Sequence, residues 1–428
     1  MIWFTVALLM ALLALSIPIA AALAALGLSL DYFYSFLPLR LAIGEMTWGV
    51  STDFILFAIP LFVLLGEVLL RSGIAERMYG AMSQWLSWLP GGLMHSNIGT
   101  CTLFAAVSGS SVATAATIGT VAVGEIQRHR YNERLFLGTI AAGGTLGILI
   151  PPSIVMIVYG ALTETSIPQL YLAGIIPGLL LAVFFMATVI VACIARPAWG
   201  GDKIVVSWAE RWRTLPDLGP PLIIFVVVIG SIYTGLATPT ESAALGVLMA
   251  FVLAAWKRRL TWAMLAEALE GTMRTTAMIM LILIAATFLS FVVTSVGIGR
   301  QVTDLITESG LTPMQTMWMI VALYLVLGMF MESLSMMIAT VPIITPVVIA
   351  MGFDPVWFGI LMMVLLETAL ITPPVGLNLF IVQGVRPRGQ IRDVMIGSLP
   401  FVVAMLAMVV VLVLYPDLAL WLPRTVGP

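Results

Sequence analysis

The sequence predicts an all-α polytopic membrane protein built from an inverted repeat, and three observations lead to that prediction. Of 428 residues, 61% are hydrophobic and only 9% are charged, which is far outside the composition of soluble domains. Apolar segments of about 20 residues, the length that crosses a bilayer, recur along the chain. Glycine, serine, threonine and proline interrupt the apolar sequence twice, in the same order in each half.

The first interruption lies within residues 107–152. A small polar cluster, Ser108–Ser111, is followed by a glycine-rich run that ends in Pro151-Pro152. Such residues leave backbone groups without helical partners, and lipid cannot solvate those groups. We therefore predict a re-entrant hairpin over 93–126 and a broken helix over 134–164. The alternatives are close helix packing by small residues and an ordinary proline kink.

The second interruption predicts a second hairpin over 313–350 and a second broken helix over 356–384. Its tip around Ser335 is placed 224 positions after the tip around Ser111, and the offset shrinks by two at Pro373-Pro374. A pair of interrupted segments in corresponding halves is the best sequence indicator of a transporter binding site. Chance similarity between apolar sequences is the alternative, but several features in one order favour a duplicated half.

The remaining apolar segments complete the predicted topology. Met1 is followed by apolar sequence without a basic region, so we predict a first spanning helix and not a signal peptide. Unbroken crossings are predicted at 2–27, 51–71, 169–195, 217–236, 240–256, 273–295 and 395–415. The chain then divides into a first repeat (1–195), a cytoplasmic linker with a connecting helix (196–236) and a second repeat (237–428).

Positive charges orient this topology. With the N-terminus in the cytoplasm and the C-terminus in the periplasm, sixteen of the 19 lysines and arginines fall on the cytoplasmic side. Only Arg40, Arg300 and Arg424 fall outside. Two amphipathic stretches, Ala75–Trp88 and Lys203–Trp212, are predicted to lie on the cytoplasmic membrane surface, with ordinary loops as the alternative.

Catalytic chemistry is not predicted. Cys101 and Cys193 lie far apart in apolar sequence, and the two histidines, His95 and His129, have no neighbours at metal-ligand spacing. A membrane-embedded hydrolase would need a base beside a serine of the first tip, and neither histidine is a candidate. We therefore assign no catalytic residue and no catalytic metal. The net charge of -2 gives no reason to expect a nucleic-acid partner.

Oxygen-rich positions at the breaks predict a site for a small cation instead. The hydroxyls and carbonyls of Ser108–Thr114 are hard donors that suit a dehydrated small cation. Carbonyls before Pro151 lose their helical partners, and the half-helix after the proline pair directs its positive N-terminal end into the site. Glu332 and Glu367 lie close to the second breaks, where an intramembrane carboxylate is a functional hypothesis by default. For Glu332 a solvated position on the outer side is the alternative.

These motifs resemble a known family. The runs Ser108–Thr114, Gly143–Ser153 and Glu367–Asn378 resemble the large membrane subunit of tripartite ATP-independent periplasmic (TRAP) transporters, and the resemblance covers essentially the whole chain. It implies an elevator-type secondary transporter of the ion-transporter superfamily, which uses a sodium gradient to import small carboxylates through the bacterial inner membrane. It also implies two partners, a small four-helix membrane subunit and a periplasmic substrate-binding protein. No extra helical block precedes Met1 or follows Pro428, so we expect the small subunit on a separate chain.

The resemblance implies sodium as the coupling ion, and the hairpin tips and breaks supply the candidate site residues. One sodium site is expected where the first tip meets the first broken helix, at Ser108, Gly109, Ser110, Ser111, Gly144 and Gly147. The second is expected at Ser333, Ser335, Thr340, Thr368 and Thr372. The carboxylate is expected to contact Ser111, Thr114, Pro151, Pro152, Ser153, Glu332, Pro373, Pro374 and Asn378. A stand-alone sodium- or proton-coupled di- or tricarboxylate carrier is the alternative function.

The predicted topology can be tested by labelling single cysteines introduced after replacement of Cys101 and Cys193. We expect Thr163→Cys and Thr238→Cys to react with an impermeant maleimide added outside, because both positions fall at periplasmic ends. His129→Cys and Lys257→Cys should react only after permeabilisation. Labelling of positions 129 and 163 from the same side would contradict a crossing by the first broken helix, and with it the inverted repeat.

Overall fold

The computed structural model describes residues 1–426 apart from 203, 205, 300 and 302–309, and this part of the chain is helical without a strand. Lys203 of the second amphipathic stretch and Arg300 lie outside the described residues. The first half contains helices at Ile2–Ala14, Ile19–Tyr34, Ile43–Thr52, Ala58–Arg71, Ile74–Leu86, Leu93–Ser108, Ser111–Ala122, Glu125–Arg128, Glu133–Leu149, Ile154–Thr163 and Ile167–Ala195. The remainder contains helices at Trp208–Thr214, Gly219–Tyr233, Pro239–Trp256, Trp262–Ser295, Pro313–Gly328, Ser333–Ala350, Pro355–Ile371, Leu377–Val385, Ile391–Leu414 and Asp417–Val426.

Helix length and hydropathy agree with a polytopic membrane protein. In the described residues six helices are long and apolar enough to cross a membrane, and two bent helix pairs raise that number to eight. One of the six, Ser333–Ala350, is an arm of the predicted second hairpin. Because 67% of the residues of this 18-residue helix are buried inside the protein, other helices largely surround the arm.

The predicted first spanning helix over 2–27 is wrong. The structure forms two helices, Ile2–Ala14 and Ile19–Tyr34, separated by a break at which Ser16 adopts a φ of 56°. Pro18 causes the break, because proline excludes the residue before it from helical geometry and offers no N–H. Neither helix has the roughly 20 residues of a straight crossing. The side on which the N-terminus lies therefore stays a prediction.

Two other predicted boundaries also change. The helix predicted at 51–71 begins at Ala58, because Asp53 ends the preceding helix and its carboxylate accepts a hydrogen bond from the Ile55 N–H at 2.8 Å. Such local side-chain bonds compete with helix continuation. The helix predicted at 273–295 begins eleven residues earlier, at Trp262. A final helix, Asp417–Val426, follows the last predicted crossing.

Both hairpins and both broken helices form where the sequence predicts them. The first hairpin comprises Leu93–Ser108 and Ser111–Ala122, and the second comprises Pro313–Gly328 and Ser333–Ala350. The first broken helix joins Glu133–Leu149 to Ile154–Thr163 with a bend of 41°. The second joins Pro355–Ile371 to Leu377–Val385. Each break contains a cis proline pair, at residues 151–152 and 373–374.

The structure corrects the register of the repeat at the hairpin tips. Ser111 and Ser333 are each the first residue of a second arm, so the offset there is 222 and not 224. The offset of 224 does hold upstream, where Gly73 and Gly297 share positive φ values of 73° and 76°. The counterpart of Ser111 is therefore Ser333, and Ser335 lies two residues further along the arm.

The two repeats exchange packing partners. Ile19–Tyr34 packs against the long helix Trp262–Ser295, and at the matching position Pro239–Trp256 packs against Ala58–Arg71. The half-helix after each break likewise packs on the second arm of the other repeat's hairpin. Each half therefore buries part of its apolar surface against the other half, and residues of both halves meet at the broken helices.

The predicted amphipathic stretches form helices that contact each other. Ile74–Leu86 turns by 70° from the preceding helix, and its Trp85 ring meets Trp212 edge to face at 5.8 Å. Elsewhere a charged cluster joins the ends of the two broken helices. The buried Arg386 side chain pairs with Glu133 at 2.7 Å and with Asp393 at 3.4 Å. These contacts connect elements that carry the candidate site.

Candidate ion and substrate site

The first hairpin tip is organised by its own hydroxyls. Gly109 ends the first arm in the left-handed region at a φ of 60°, and Ser110 caps the second arm by accepting the Ala113 N–H at 3.4 Å. The Ser108 and Thr114 hydroxyls lie 3.0 Å apart, and the Thr114 hydroxyl donates to the Ser110 carbonyl at 2.7 Å. The tip therefore concentrates oxygen atoms, and Ser108, Ser111 and Thr114 are all buried.

This tip lies directly against the first broken helix. The Ser111 hydroxyl donates to the Thr145 carbonyl at 2.9 Å. Gly147 faces the tip so closely that an added Cβ would lie 2.6 Å from the Ser110 carbonyl carbon. At Gly144 an added Cβ would lie 2.6 Å from the Ala115 side chain. The glycines that interrupt the sequence thus serve close approach of hairpin and helix, and the structure brings the predicted first set together.

The first break is enclosed by protein. Residues 150–153 are all buried, and the Ser153 hydroxyl caps the following half-helix by accepting the Met156 N–H at 3.4 Å. The Pro152 carbonyl lies against Gly109, where an added Cβ would approach to 2.8 Å. Pro151, Pro152 and Ser153 are thus buried beside the tip. The N-terminus of a half-helix at this place favours an anionic group.

The second tip uses a carboxylate where the first uses a hydroxyl. The Glu332 carboxylate accepts the N–H groups of Leu334 and Ser335, both at 3.0 Å, and so caps the second arm. Glu332 itself is exposed. The Ser333 hydroxyl donates to the Leu366 carbonyl at 3.0 Å, which repeats the docking of Ser111 on the first broken helix.

The second break is more open than the first. The Thr368 and Thr372 hydroxyls donate to carbonyls one turn back in their own helix, at 2.7 Å and 2.6 Å. Pro373 is partly exposed, and Pro374 and Val375 are exposed. The two breaks thus share their backbone plan and differ in how far protein covers them.

Of the predicted second ion site, Thr340 lies apart from the tip, and Ser335 borders a cleft beside the tip. The Thr340 hydroxyl is 2.6 Å from the Tyr324 hydroxyl, and Thr340 lies seven residues, about 10 Å, along the arm from Ser333. Ser335 lines a cleft of about 560 Å³ between the second tip and the break in the N-terminal helices near Ile19. Ser333, Thr368 and Thr372 therefore remain the candidates nearest the second break.

Asn378 and Glu367 extend from the second repeat onto the first broken helix. Asn378 is buried and donates from Nδ2 to the Ala141 carbonyl at 3.2 Å. Glu367 is buried, and its Oε1 accepts the Leu149 N–H at 2.9 Å. The sequence identifies Glu367 only as an acidic group near a break. Its contact with the other repeat depends on tertiary packing, although a carboxylate in an apolar run signals some role.

A helix outside the hairpin and the broken helix also reaches the first tip. Gly66, on the helix Ala58–Arg71, faces the Ser108 carbonyl, to which an added Cβ would approach within 2.9 Å. The helix Trp262–Ser295 packs on the second arm of the second hairpin. The first tip therefore also contacts a helix that packs against the other repeat.

Comparisons with known proteins agree with this arrangement. The model for the family "Tripartite ATP-independent periplasmic transporter, DctM component" matches residues 6–418. The C4-dicarboxylate TRAP transporter large permease protein of Pseudomonas aeruginosa is 36% identical over 88% of this chain and 88% of its own length. The sialic acid TRAP transporter large permease protein of Vibrio cholerae is 32% identical over 90% of each. The YdaH transporter of Alcanivorax borkumensis shares the fold, with a TM-score of 0.64 over 96% and 98% of the two chains at 15% identity.

The close approach at Gly147 can be tested with a reporter in the tip. In a Ser110→Cys background, Gly147→Ala should speed alkylation by a small maleimide, because the new methyl group displaces the tip backbone. We expect an increase of roughly 5-fold or more, since overpacking costs about 1–3 kcal/mol. Gly384→Ala is the matched control, because an added Cβ there meets nothing within 4 Å. Equal rates in the two variants would contradict tip docking at Gly147.

Proposed function

The chain belongs to the tripartite ATP-independent periplasmic transporter family as its DctM component, and from that premise we propose that it is the large permease subunit of a sodium-coupled importer of small organic acids. Its named relatives are multi-pass transport permeases and not enzymes. The observation that carries the proposal is the twofold docking of a hairpin-tip serine hydroxyl on a broken-helix carbonyl. We place the importer in the bacterial inner membrane, the general expectation for this family.

A carboxylate is the proposed substrate group. Two relatives are named for C4-dicarboxylate and for sialic acid, both of which carry carboxylates. The half-helices that begin at Ile154 and Leu377 direct their positive N-terminal ends toward the breaks, and that polarity suits an anion. Ser153 offers a hydroxyl at the first of these ends, and Asn378 an amide at the second. The proposed site binds the acid through dipoles and hydroxyls.

Sodium fits the oxygen-rich surroundings of both tips. In the described part of the chain no group of three or more His, Cys, Asp or Glu could hold a metal ion, so a site for a softer or more highly charged metal is not favoured there. The first proposed site is formed by Ser108–Ser111 with the carbonyls near Gly144 and Gly147. The second is formed by Ser333, Thr368 and Thr372. Both supply neutral oxygens, which suit a monovalent hard cation.

Coupling follows from the position of these oxygens. Sodium would satisfy tip and break carbonyls that neither a helix nor lipid can satisfy, and would thereby order the tips. Ordered tips complete the walls of the pocket next to the half-helix N-termini. The acid therefore finds its full site only after the ion has bound, and by linkage the acid strengthens ion binding equally.

The packing supports an elevator mechanism. We propose that the interlocked helices Ile19–Tyr34, Ala58–Arg71, Pro239–Trp256 and Trp262–Ser295 form a static scaffold. The hairpins and broken helices, joined through cross-repeat contacts and the Arg386 cluster, would move as one body against it. In this proposal the tips lie between the moving body and the scaffold. The same residues would therefore close the site and face the surface along which the two bodies move.

Two partners complete the proposed transporter. We propose that the small membrane subunit packs along the lipid-facing side of the scaffold. The substrate-binding protein would dock on Asp31–Trp48, Glu164–Tyr171, Tyr233–Glu241 and the outer end of the second hairpin. The first of these surfaces exposes a contiguous apolar stretch in which Phe36 is fully exposed and Trp48 is 72% exposed. Large exposed apolar patches of this kind indicate a partner or membrane contact.

Loss of one proposed sodium ligand should weaken ion coupling. Ser110→Ala or Thr372→Ala should raise the sodium concentration for half-maximal uptake by roughly 5- to 30-fold, since a lost polar contact is worth about 1–2 kcal/mol. Uptake would be measured in proteoliposomes that contain the complete transporter. Thr117→Ala is the matched control, because that hydroxyl donates only to the Ala113 carbonyl of its own arm. Undiminished uptake in potassium, or uptake driven by a proton gradient, would overturn the sodium assignment.

Dependence on the binding protein separates the proposal from a stand-alone carrier. Proteoliposomes with both membrane subunits and a sodium gradient should take up no C4-dicarboxylate or sialic acid until a cognate binding protein is added. The physical reason is that the acid is delivered by a docked partner and not from free solution. Robust uptake of free substrate by the membrane part alone would place the chain with stand-alone carriers.

A further inference from the structure

Glu367 makes a bond between the two repeats at the point where the site depends on both. It lies in the first half of the second broken helix, five residues before Thr372. Its side chain is fully buried, and Oε1 accepts the Leu149 N–H at 2.9 Å. Leu149 is the last residue of the first half of the other broken helix. The bond thus joins the helix that approaches one break to the helix that approaches the other.

The Glu367 carboxyl group contacts the end of the other repeat's half-helix. Burial of a carboxyl group at membrane depth is costly, which makes such a residue a functional candidate. Its second oxygen, Oε2, is buried without a hydrogen-bond partner among the residues that the structure describes. The group is therefore not placed there by a balanced ion pair, and the backbone N–H groups of Leu149 and Ile148 at the end of the other half-helix position it.

The bond completes a relay from one hairpin tip to the other. The Ser111 hydroxyl donates to the Thr145 carbonyl at 2.9 Å, and Thr145 lies one helical turn before Leu149. The Ser333 hydroxyl donates to the Leu366 carbonyl at 3.0 Å, and Leu366 directly precedes Glu367. A displacement at either tip is thus passed to a residue within one turn of the Glu367–Leu149 bond.

We propose that Glu367 is a positioning residue that couples the two ion sites, so that ordering one tip orders the other. The inference rests on the proposed function, because it assumes an ion site at each tip. The physical warrant is a continuous chain of buried hydrogen bonds and short helical segments from Ser111 through Leu149 and Glu367 to Ser333. Coupling of this kind makes the response to sodium steeper than two independent sites would give.

The test compares Glu367→Met, which fills the same space without an acceptor, with Glu367→Gln, which keeps an Oε1 acceptor. Sodium dependence of uptake is measured in the complete reconstituted transporter. For Glu367→Met we expect the Hill coefficient to fall to about 1 and the half-maximal sodium concentration to rise at least 5-fold. Glu367→Gln should stay close to the unsubstituted protein in both quantities.

Tyr159→Phe is the matched control. Its hydroxyl also bonds across the repeats, to the Pro355 carbonyl at 2.8 Å, but Pro355 lies twelve residues before Glu367 at the far end of the helix. This variant should leave the Hill coefficient unchanged. A reduced Hill coefficient in Tyr159→Phe would show that any lost bond between the repeats has the same effect, and would overturn a specific role for Glu367.

The other outcomes also decide the question. An unchanged sodium response in Glu367→Met overturns the inference, and a Glu367→Gln variant as impaired as Glu367→Met overturns it in favour of direct ion ligation by the carboxylate. If the unsubstituted transporter shows no sodium dependence at all, the proposed function fails instead. The two failures are therefore distinguishable.

A second measurement covers the case in which Glu367→Met does not fold. Val375, 40% exposed at the second break, can be replaced by a reporter cysteine, since both native cysteines are buried. Sodium should slow alkylation of Val375→Cys. If the tips are coupled, Ser111→Ala in the first tip should raise the sodium concentration needed for this protection at the second break. An unchanged midpoint would overturn the coupling.

Discussion

Satisfaction of the broken backbone is the constraint on which the rest of this structure depends. Two helices lose their hydrogen-bond pattern at proline pairs within apolar sequence, where lipid offers no replacement partner. Protein groups must therefore cover each break. The hairpin tips lie on the helices that approach the breaks, with the Ser111 hydroxyl on the Thr145 carbonyl and the Ser333 hydroxyl on the Leu366 carbonyl. Docked tips, close-approach glycines and cross-repeat packing all follow from this requirement.

Protein covers the first break more completely than the second, and this difference bears on the transport mechanism. Around the first break, Gly174 of the helix Ile167–Ala195 lies so close that an added Cβ would reach 2.5 Å from the Leu149 carbonyl. The second break leaves Pro374 and Val375 exposed. In an elevator-type carrier a covered and an open break would respond differently to ion and substrate. A contact such as Glu367–Leu149 would let the open side influence the covered one.

Much of the site was predictable because its signals are local. The pairs Pro151-Pro152 and Pro373-Pro374 predict helix breaks, because proline has no N–H to donate. The apolar arms beside Ser108–Ser111 are too short to cross a bilayer. The register of the second tip, meaning which residue corresponds to Ser111, is harder to predict from the sequence. Spacing alone predicts that Ser335 corresponds to Ser111, but helix capping by Glu332 makes Ser333 the first residue of the arm. Thr340 matched the oxygen-rich composition of a site, yet its hydroxyl is paired with Tyr324.

By itself the sequence determined the membrane class, the two hairpins, the two broken helices and the family, because composition, segment length and proline placement act within one helix or one turn. Tertiary structure alone decided which groups meet. Ser111 and Thr145 are 34 residues apart, and Glu367 and Leu149 are 218 apart. No periodicity encodes contacts at such separations. They arise because each hairpin packs on the broken helix of its own repeat, while the half-helices and the long helices pack across the repeats.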